Sequence, residues 1–162
     1  MKIGIIVYSQ TNNTYSVAEK LGDELKRSGH EVKIDRIVTE GEVKPGDKNI
    51  KFKSKPDVRE YDGLVFCSPV HAFSLPPAMN EYLKGISSLK GKDSACFVTK
   101  NLPFKWTGGT RTVKSMKKIV ESKGGSISGS GIIVWRGAGK NPKREKSIND
   151  LVNEINGYFS GK

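Results

Sequence analysis

Lys2-Ile3-Gly4-Ile5-Ile6-Val7-Tyr8 runs without a break into Ser9-Gln10-Thr11-Asn12-Asn13-Thr14, and then into Tyr15-Ser16-Val17-Ala18-Glu19-Lys20-Leu21. The first segment is a short apolar run rich in Ile and Val, the pattern of a strand buried on both faces. The second is a turn of hydroxyl and amide side chains, and the third has the apolar spacing of a helix. A strand, a polar loop and a helix start in that order make an anion site. The first N–H groups of a helix have no partner within it and the helix dipole adds partial positive charge, so a phosphate is held there without Lys or Arg. Ser9, Thr11 and Thr14 add hydroxyl donors, while Gln10, Asn12 and Asn13 fill the loop between and around them. The same residues also suit a plain helix cap at Asn13 or Thr14. The loop has neither the Gly-Lys-Ser/Thr of a P-loop nor the glycine triplet of a dinucleotide fingerprint, which removes nucleoside triphosphates and NAD as first expectations.

Working outward, the first helix is expected over about Tyr15 to Arg27, with Val17, Leu21 and Leu25 on one face and Ser28-Gly29 as its stop. Glu31 to Ile37 alternates polar and apolar residues, as suits a strand at or near a sheet edge. Val38 to Glu60 loses periodicity and fills with Lys, Gly, Pro and Asp, so a long loop with one short helical turn is expected there. Gly63 to Pro69 reads as a buried strand, followed by the loop Val70-His71-Ala72-Phe73-Ser74-Leu75 and a helix whose start is fixed by Pro76-Pro77. Ser94 to Thr99 is the next buried strand. Lys100 to Gly109 then forms a loop holding Asn101, Phe104, Trp106 and Gly108, before a basic amphipathic helix with Val113, Met116, Ile119 and Val120. A fifth strand is centred on Ile132 to Trp135, and Pro142 precedes a last helix carrying Ile148, Leu151, Val152, Ile155 and Tyr158.

Five strands, each followed by a loop and all but the second clearly by a helix, imply an α/β fold. Right-handed crossovers make it a doubly wound five-stranded parallel sheet. The order 2-1-3-4-5 gathers the C-terminal ends of the first, third and fourth strands around one crevice. The three distinctive loops are the ones that follow those strands.

The chain of 162 residues fits a single domain over 1–162 and is long enough to bury a sizeable core. No apolar run approaches the roughly 20 residues that span a bilayer, and Met1-Lys2 leads directly into a strand, so a soluble, cytoplasmic protein without membrane contact is expected. Cys67 and Cys96 lie in apolar segments with no partner at metal-ligand spacing, which reads as structural burial. The formal net charge of +11, with clusters at Lys51, Lys53 and Lys55, at Lys114, Lys117 and Lys118, and at Lys140, Lys143, Arg144 and Lys146, bears on partners rather than on fold. These lysines are spread over loops and helices and not set among aromatic platforms, so nucleic acid is disfavoured.

The loop Ser9, Thr11 and Thr14 resembles the phosphate loop of flavodoxins, in which Ser/Thr-x-Thr-Gly-x-Thr wraps the phosphate of FMN. Asn12 stands where that family usually has Gly, and Asn enters left-handed backbone conformations more readily than most residues with a side chain. The resemblance covers essentially the whole chain and is to the shorter type of flavodoxin, since no long insertion interrupts the fifth strand. It implies FMN as cofactor and assigns two loops to the flavin ring: Pro69, Val70, His71, Ala72 and Phe73 in one, and Thr99, Lys100, Asn101, Trp106 and Gly108 in the other. Flavodoxins often place a Trp in the first flanking loop and a Tyr in the second, so Phe73 and Trp106 would be an altered pair. Trp106 either touches the cofactor or packs on the surface. His71 is one of two histidines and stands beside the crevice, as a satisfied polar residue or as a group that responds to flavin charge.

No paired carboxylates, no nucleophile with a matching base and no metal cluster occur in the sequence, so the chemistry belongs to a cofactor. The resemblance favours an FMN-binding electron-transfer protein over a substrate-specific enzyme, with a redox partner protein that is acidic given the charge of this chain. An FMN-dependent NAD(P)H or quinone reductase of the same fold is the alternative, and a cofactor-free signalling or binding domain is a third. Response regulators are disfavoured, because Ser9-Gln10-Thr11 and Ser68-Pro69 stand where carboxylates would be needed.

Overall fold

In the computed structural model, which describes residues 1–104 and 107–161, the chain forms seven strands and four helices. The main sheet contains β1 (Lys2–Val7), β2 (Glu31–Arg36), β5 (Gly63–Pro69), β6 (Asp93–Lys100) and β7 (Ser126–Val134). Its spatial order is β2-β1-β5-β6-β7, with every neighbouring pair parallel. Counted within this sheet, that is the 2-1-3-4-5 order read from the sequence.

Side-chain alternation divides the core between the two faces of the sheet. Ile3, Ile5 and Val7 of β1, Val65 and Cys67 of β5, and Ala95 and Phe97 of β6 pack under α1 (Asn13–Arg27) and α4 (Pro142–Ser160). Ile6, Leu64, Phe66, Cys96 and Val98 face the other way, onto α2 (Pro77–Lys84) and α3 (Gly109–Ser122). Cys67 and Cys96 are therefore free thiols buried on opposite faces. Burial pushes both thiols up, Cys96 to about 12 and Cys67 well above its ordinary value, which disfavours the reactive thiolate.

The 38–60 segment corrects the sequence reading. It contains no helical turn; instead β3 (Val38–Thr39) and β4 (Phe52–Ser54) pair antiparallel as a small second sheet. Ile37, Val43 and Val58 are buried, and Ile50 and Phe52 pack against the α2/α3 side of the core. These apolar residues stand singly among Lys and Gly, too far apart to show a period, yet each finds the core in three dimensions. No described helix is long and apolar enough to cross a membrane.

Gly4 has a packing reason to lack a side chain. A Cβ there would lie 2.5 Å from the ring of Tyr61, which is buried across β1 while its hydroxyl donates to Asp35 Oδ2 at 2.6 Å. Gly4→Ala forces the ring out of this position and is expected to destabilise the fold by about 1–3 kcal/mol, the usual range for overpacking. Urea unfolding midpoints of wild type and variant check this; an unchanged midpoint would show that the ring can move freely.

Candidate functional site

The C-terminal ends of β1, β5 and β6 open onto a cleft of about 220 Å³. Gln10, Thr11 and Asn13 enter from the loop after β1, Pro69, Val70 and His71 from the end of β5, and Thr99, Lys100 and Asn101 from the end of β6. A second lobe of about 250 Å³ continues past Val70, Lys100 and Asn101 to Ala72, Phe73, Leu102 and Thr107. Three loops separated by up to ninety residues thus meet in one slot. Trp106 lies outside the described residues.

At the first end of the slot, Asn12 adopts φ 66°, a left-handed conformation that Asn enters more readily than most residues with a side chain. Its carbonyl accepts from Ser16 N at 2.9 Å, but its side chain turns away to accept from Arg36 Nη2 at 3.1 Å, and the Arg36 guanidinium lies over the Tyr15 ring. No described side chain caps α1, and its first turn contains no acid. The leading N–H groups of α1 are left for an outside acceptor beside Thr11 and Asn13, and this donor set fits a phosphate. Thr14 plays a different part: its hydroxyl is buried and bonded to the Thr99 hydroxyl at 2.8 Å, tying the start of α1 to the end of β6. Ser9 lines a groove on the β2 side with Arg36 and Ile37, and its buried hydroxyl has no partner among the described residues.

The loop after β5 closes as a two-residue turn. His71 N donates to Ser74 O and Ser74 N donates to His71 O, both at 2.9 Å, so Ala72 and Phe73 take φ 44° and 63°. Such turns favour Gly or Asn, and placing Ala and Phe there stores strain beside the cleft. The turn is held by Gly108: a Cβ at that residue would overlap the Phe73 carbonyl, and φ 96° there also favours glycine. Gly108 consequently supports the turn from behind instead of lining the slot.

His71 and Gln10 join the first two loops. Gln10 Nε2 donates to the Tyr8 hydroxyl at 3.0 Å, which turns Gln10 Oε1 toward His71 Nε2 at 2.6 Å. An amide oxygen only accepts, so His71 carries its proton on Nε2 and leaves Nδ1 as a buried lone pair without a described partner. Lys100 is equally occupied: its ammonium donates to Phe104 O and Thr107 Oγ1, stitching the second flanking loop, and burial lowers its pKa.

The sequence pattern places Trp135 in a strand and not in the site, yet it lines the cleft just past β7. Its backbone N–H donates to Lys100 O at 2.6 Å. Behind its ring, at 4.4 Å, sits the guanidinium of Arg144, which is buried and donates to the carbonyls of Trp135, Gly137 and Gly139. Position at a strand's C-terminal end was the available signal, because the crevice of an open parallel sheet lies outside the C-terminal ends of its strands.

Burial holds the pKa of His71 below its ordinary 6.5. The unfolded chain then binds more protons as pH falls through 6.5, so stability is full above that pH and declines below it toward the folded-state pKa. Replacing His71 by Gln is expected to flatten this decline in thermal unfolding between about pH 5 and 7. An identical pH profile in both proteins would mean that His71 titrates freely.

The architecture and the three-loop cleft define a flavodoxin-like α/β protein. Solved structures with this fold include the flavodoxin of Streptococcus pneumoniae TIGR4, 18% identical with a TM-score of 0.67, covering 96% of this chain and 97% of that one. Flavodoxin 2 of Bacillus cereus is 20% identical with a TM-score of 0.66, covering 96% and 98%. A Fusobacterium nucleatum flavodoxin bound to flavin mononucleotide is 20% identical with a TM-score of 0.61, covering 95% and 96%. No curated protein matches by sequence. The family model described as NADPH-dependent FMN reductase matches residues 1–120, and the chain belongs to that family.

Proposed function

We propose that this chain holds FMN in the two-lobed cleft and serves as an electron-transfer protein. The observation that carries the reading is the uncapped start of α1 behind a left-handed Asn12, opening into a slot bounded by the loops after β5 and β6. The leading N–H groups of α1, with Thr11 and Asn13, take the phosphate. Backbone groups near Val70 and Asn101 hold the ring edge, while Val70, Leu102 and Phe73 form its walls, joined by Trp106 from the sequence reading. The Gln10–His71 bond fixes the first loop against the second. Bound FMN supplies hydride and single-electron transfer, which no side chain of this chain can provide. The full-length likeness to short flavodoxins supports a carrier. The family match supports a second reading, an NADPH-dependent FMN reductase, and it ends at residue 120, before β7 and Trp135. NADPH consumption by the purified flavoprotein, with and without free FMN, separates the two. An absorption spectrum without flavin bands after loading with FMN would remove both.

Charge-assisted bonds to a phosphate contribute about 1.5–3 kcal/mol each, so FMN is expected to bind at least ~100-fold more tightly than riboflavin. Titration of the apoprotein with the two ligands measures this, and equal affinities would sink the phosphate-loop assignment.

Aromatic walls quench flavin emission on contact. Bound flavin is expected to be nearly non-fluorescent, and Phe73→Ala and Trp106→Ala are expected to restore emission or weaken binding. If neither variant changes either property, other residues form the walls.

A further inference from the structure

The side of the cleft facing α3 carries a second groove, of about 520 Å³, which lies outside the two lobes of the cleft and shares only Phe73 with them. Phe73 and Gly108 form one border, and Arg111, Lys114 and Lys118 of α3 form the other. The three cations follow i, i+3, i+7 spacing, one helix face about 10.5 Å long. All three are exposed, and none is ion-paired to a described side chain. The only acid on α3 is Glu121, in its last turn. Several cations elsewhere are committed, Lys20 to Glu145, Arg59 to Asp57, Lys146 to Asp150, and Lys100 and Arg144 to loop carbonyls; what sets the α3 cations apart is their place beside the cleft.

The groove also adjoins apolar surface. Five large apolar side chains are exposed among the described residues, and three of them, Phe73, Leu102 and Phe104, lie in the two loops at the cleft mouth. An apolar centre flanked by unpaired charge of one sign is the anatomy of a protein docking surface with electrostatic complementarity. A partner protein can engage the cations and the exposed loop tips together, whereas a small phosphorylated ligand would engage the cations alone.

We infer that the α3 groove and the adjoining loop tips dock an acidic redox protein. This rests on the proposed FMN-dependent electron transfer, since it sets the partner beside the flavin-flanking turn. Positive potential over this face, on a chain of formal net charge +11, draws an anionic partner in and orients it, an effect that salt screens.

The test uses an acidic ferredoxin as probe and calorimetric titration as readout, which requires no electron transfer. Binding to the wild-type protein is expected to weaken steadily from about 20 to about 200 mM NaCl, as the screening length falls from tens of ångströms to below 10 Å. The triple variant Arg111→Glu, Lys114→Glu, Lys118→Glu should lose at least about 10-fold in affinity and most of the salt dependence. A control triple, Lys26→Glu, Lys84→Glu, Lys90→Glu, makes the same charge change at the other end of the sheet and should stay within about 2-fold of wild type. FMN affinity and melting temperature measured on both triples verify that the fold is intact. Equal losses in the two triples, or no loss in the α3 triple, overturn the docking surface. A higher KM for NADPH in the α3 triple with ferredoxin binding unchanged also overturns it, in favour of a dinucleotide groove. Groove-dependent ferredoxin binding by a protein that takes up no FMN would uphold the surface while removing the cofactor reading.

Discussion

Everything in this molecule depends on the point where the sheet reverses its winding, between β1 and β5. Right-handed crossovers send α1 to one face and α2 and α3 to the other, with α4 packing beside α1 after the last strand, so the chain leaves neighbouring parallel strands in opposite directions there. Two loops that diverge from adjacent strands cannot cover the space between them. The cleft is that space, and β6 closes its far side because it pairs with β5 along the whole length from Asp93 to Thr99. Burial of β1, β5 and β6 on both faces makes the frame rigid enough to hold three loop ends in fixed register.

Within that frame, a few bonds convert loose connections into a site. The buried Thr14–Thr99 pair joins the start of α1 to β6 across β5, and the Gln10–His71 pair joins the first loop to the second. Each link removes freedom that a ligand would otherwise have to remove on binding. The turn at Ala72 and Phe73 is the opposite case, a conformation that its own residues disfavour. It persists because Gly108 leaves room for the Phe73 carbonyl and the His71–Ser74 bonds close the turn. Local strain supported by a neighbouring element is common where backbone must be presented to a ligand.

The charge of the chain is put to two separate uses. Arg144 and Lys100 are spent on carbonyl oxygens, folding the Trp135 and Phe104 loops around the cleft from within. On α3 the cations stay on the surface, beside the loop tips that expose Phe73 and Leu102. Formal charge counted along the sequence cannot separate these uses, because it has no information on which cations have found an acceptor.

The sequence by itself determined the four helices, the five strands of the main sheet and their order. Uninterrupted Ile/Val runs marked the buried strands, 3.6-residue spacing marked the helices, and alternation marked β2 as an edge, because each pattern reports a local burial geometry. The left-handed place of Asn12 and the polar loop from Ser9 to Thr14 were legible for the same reason: turn chemistry is local. Tertiary structure decided which of those polar residues face the cleft. Ser9 turned to the β2 side, Thr14 was taken by Thr99, Asn12 by Arg36, and Gly108 became the support of a turn thirty-five residues earlier. It also brought Trp135 and Leu102 to the slot and made a small sheet of the 38–54 segment. Those outcomes rest on contacts between residues far apart in the chain, and no local pattern encodes them, because a side chain's partner is fixed only once the strands have chosen their neighbours.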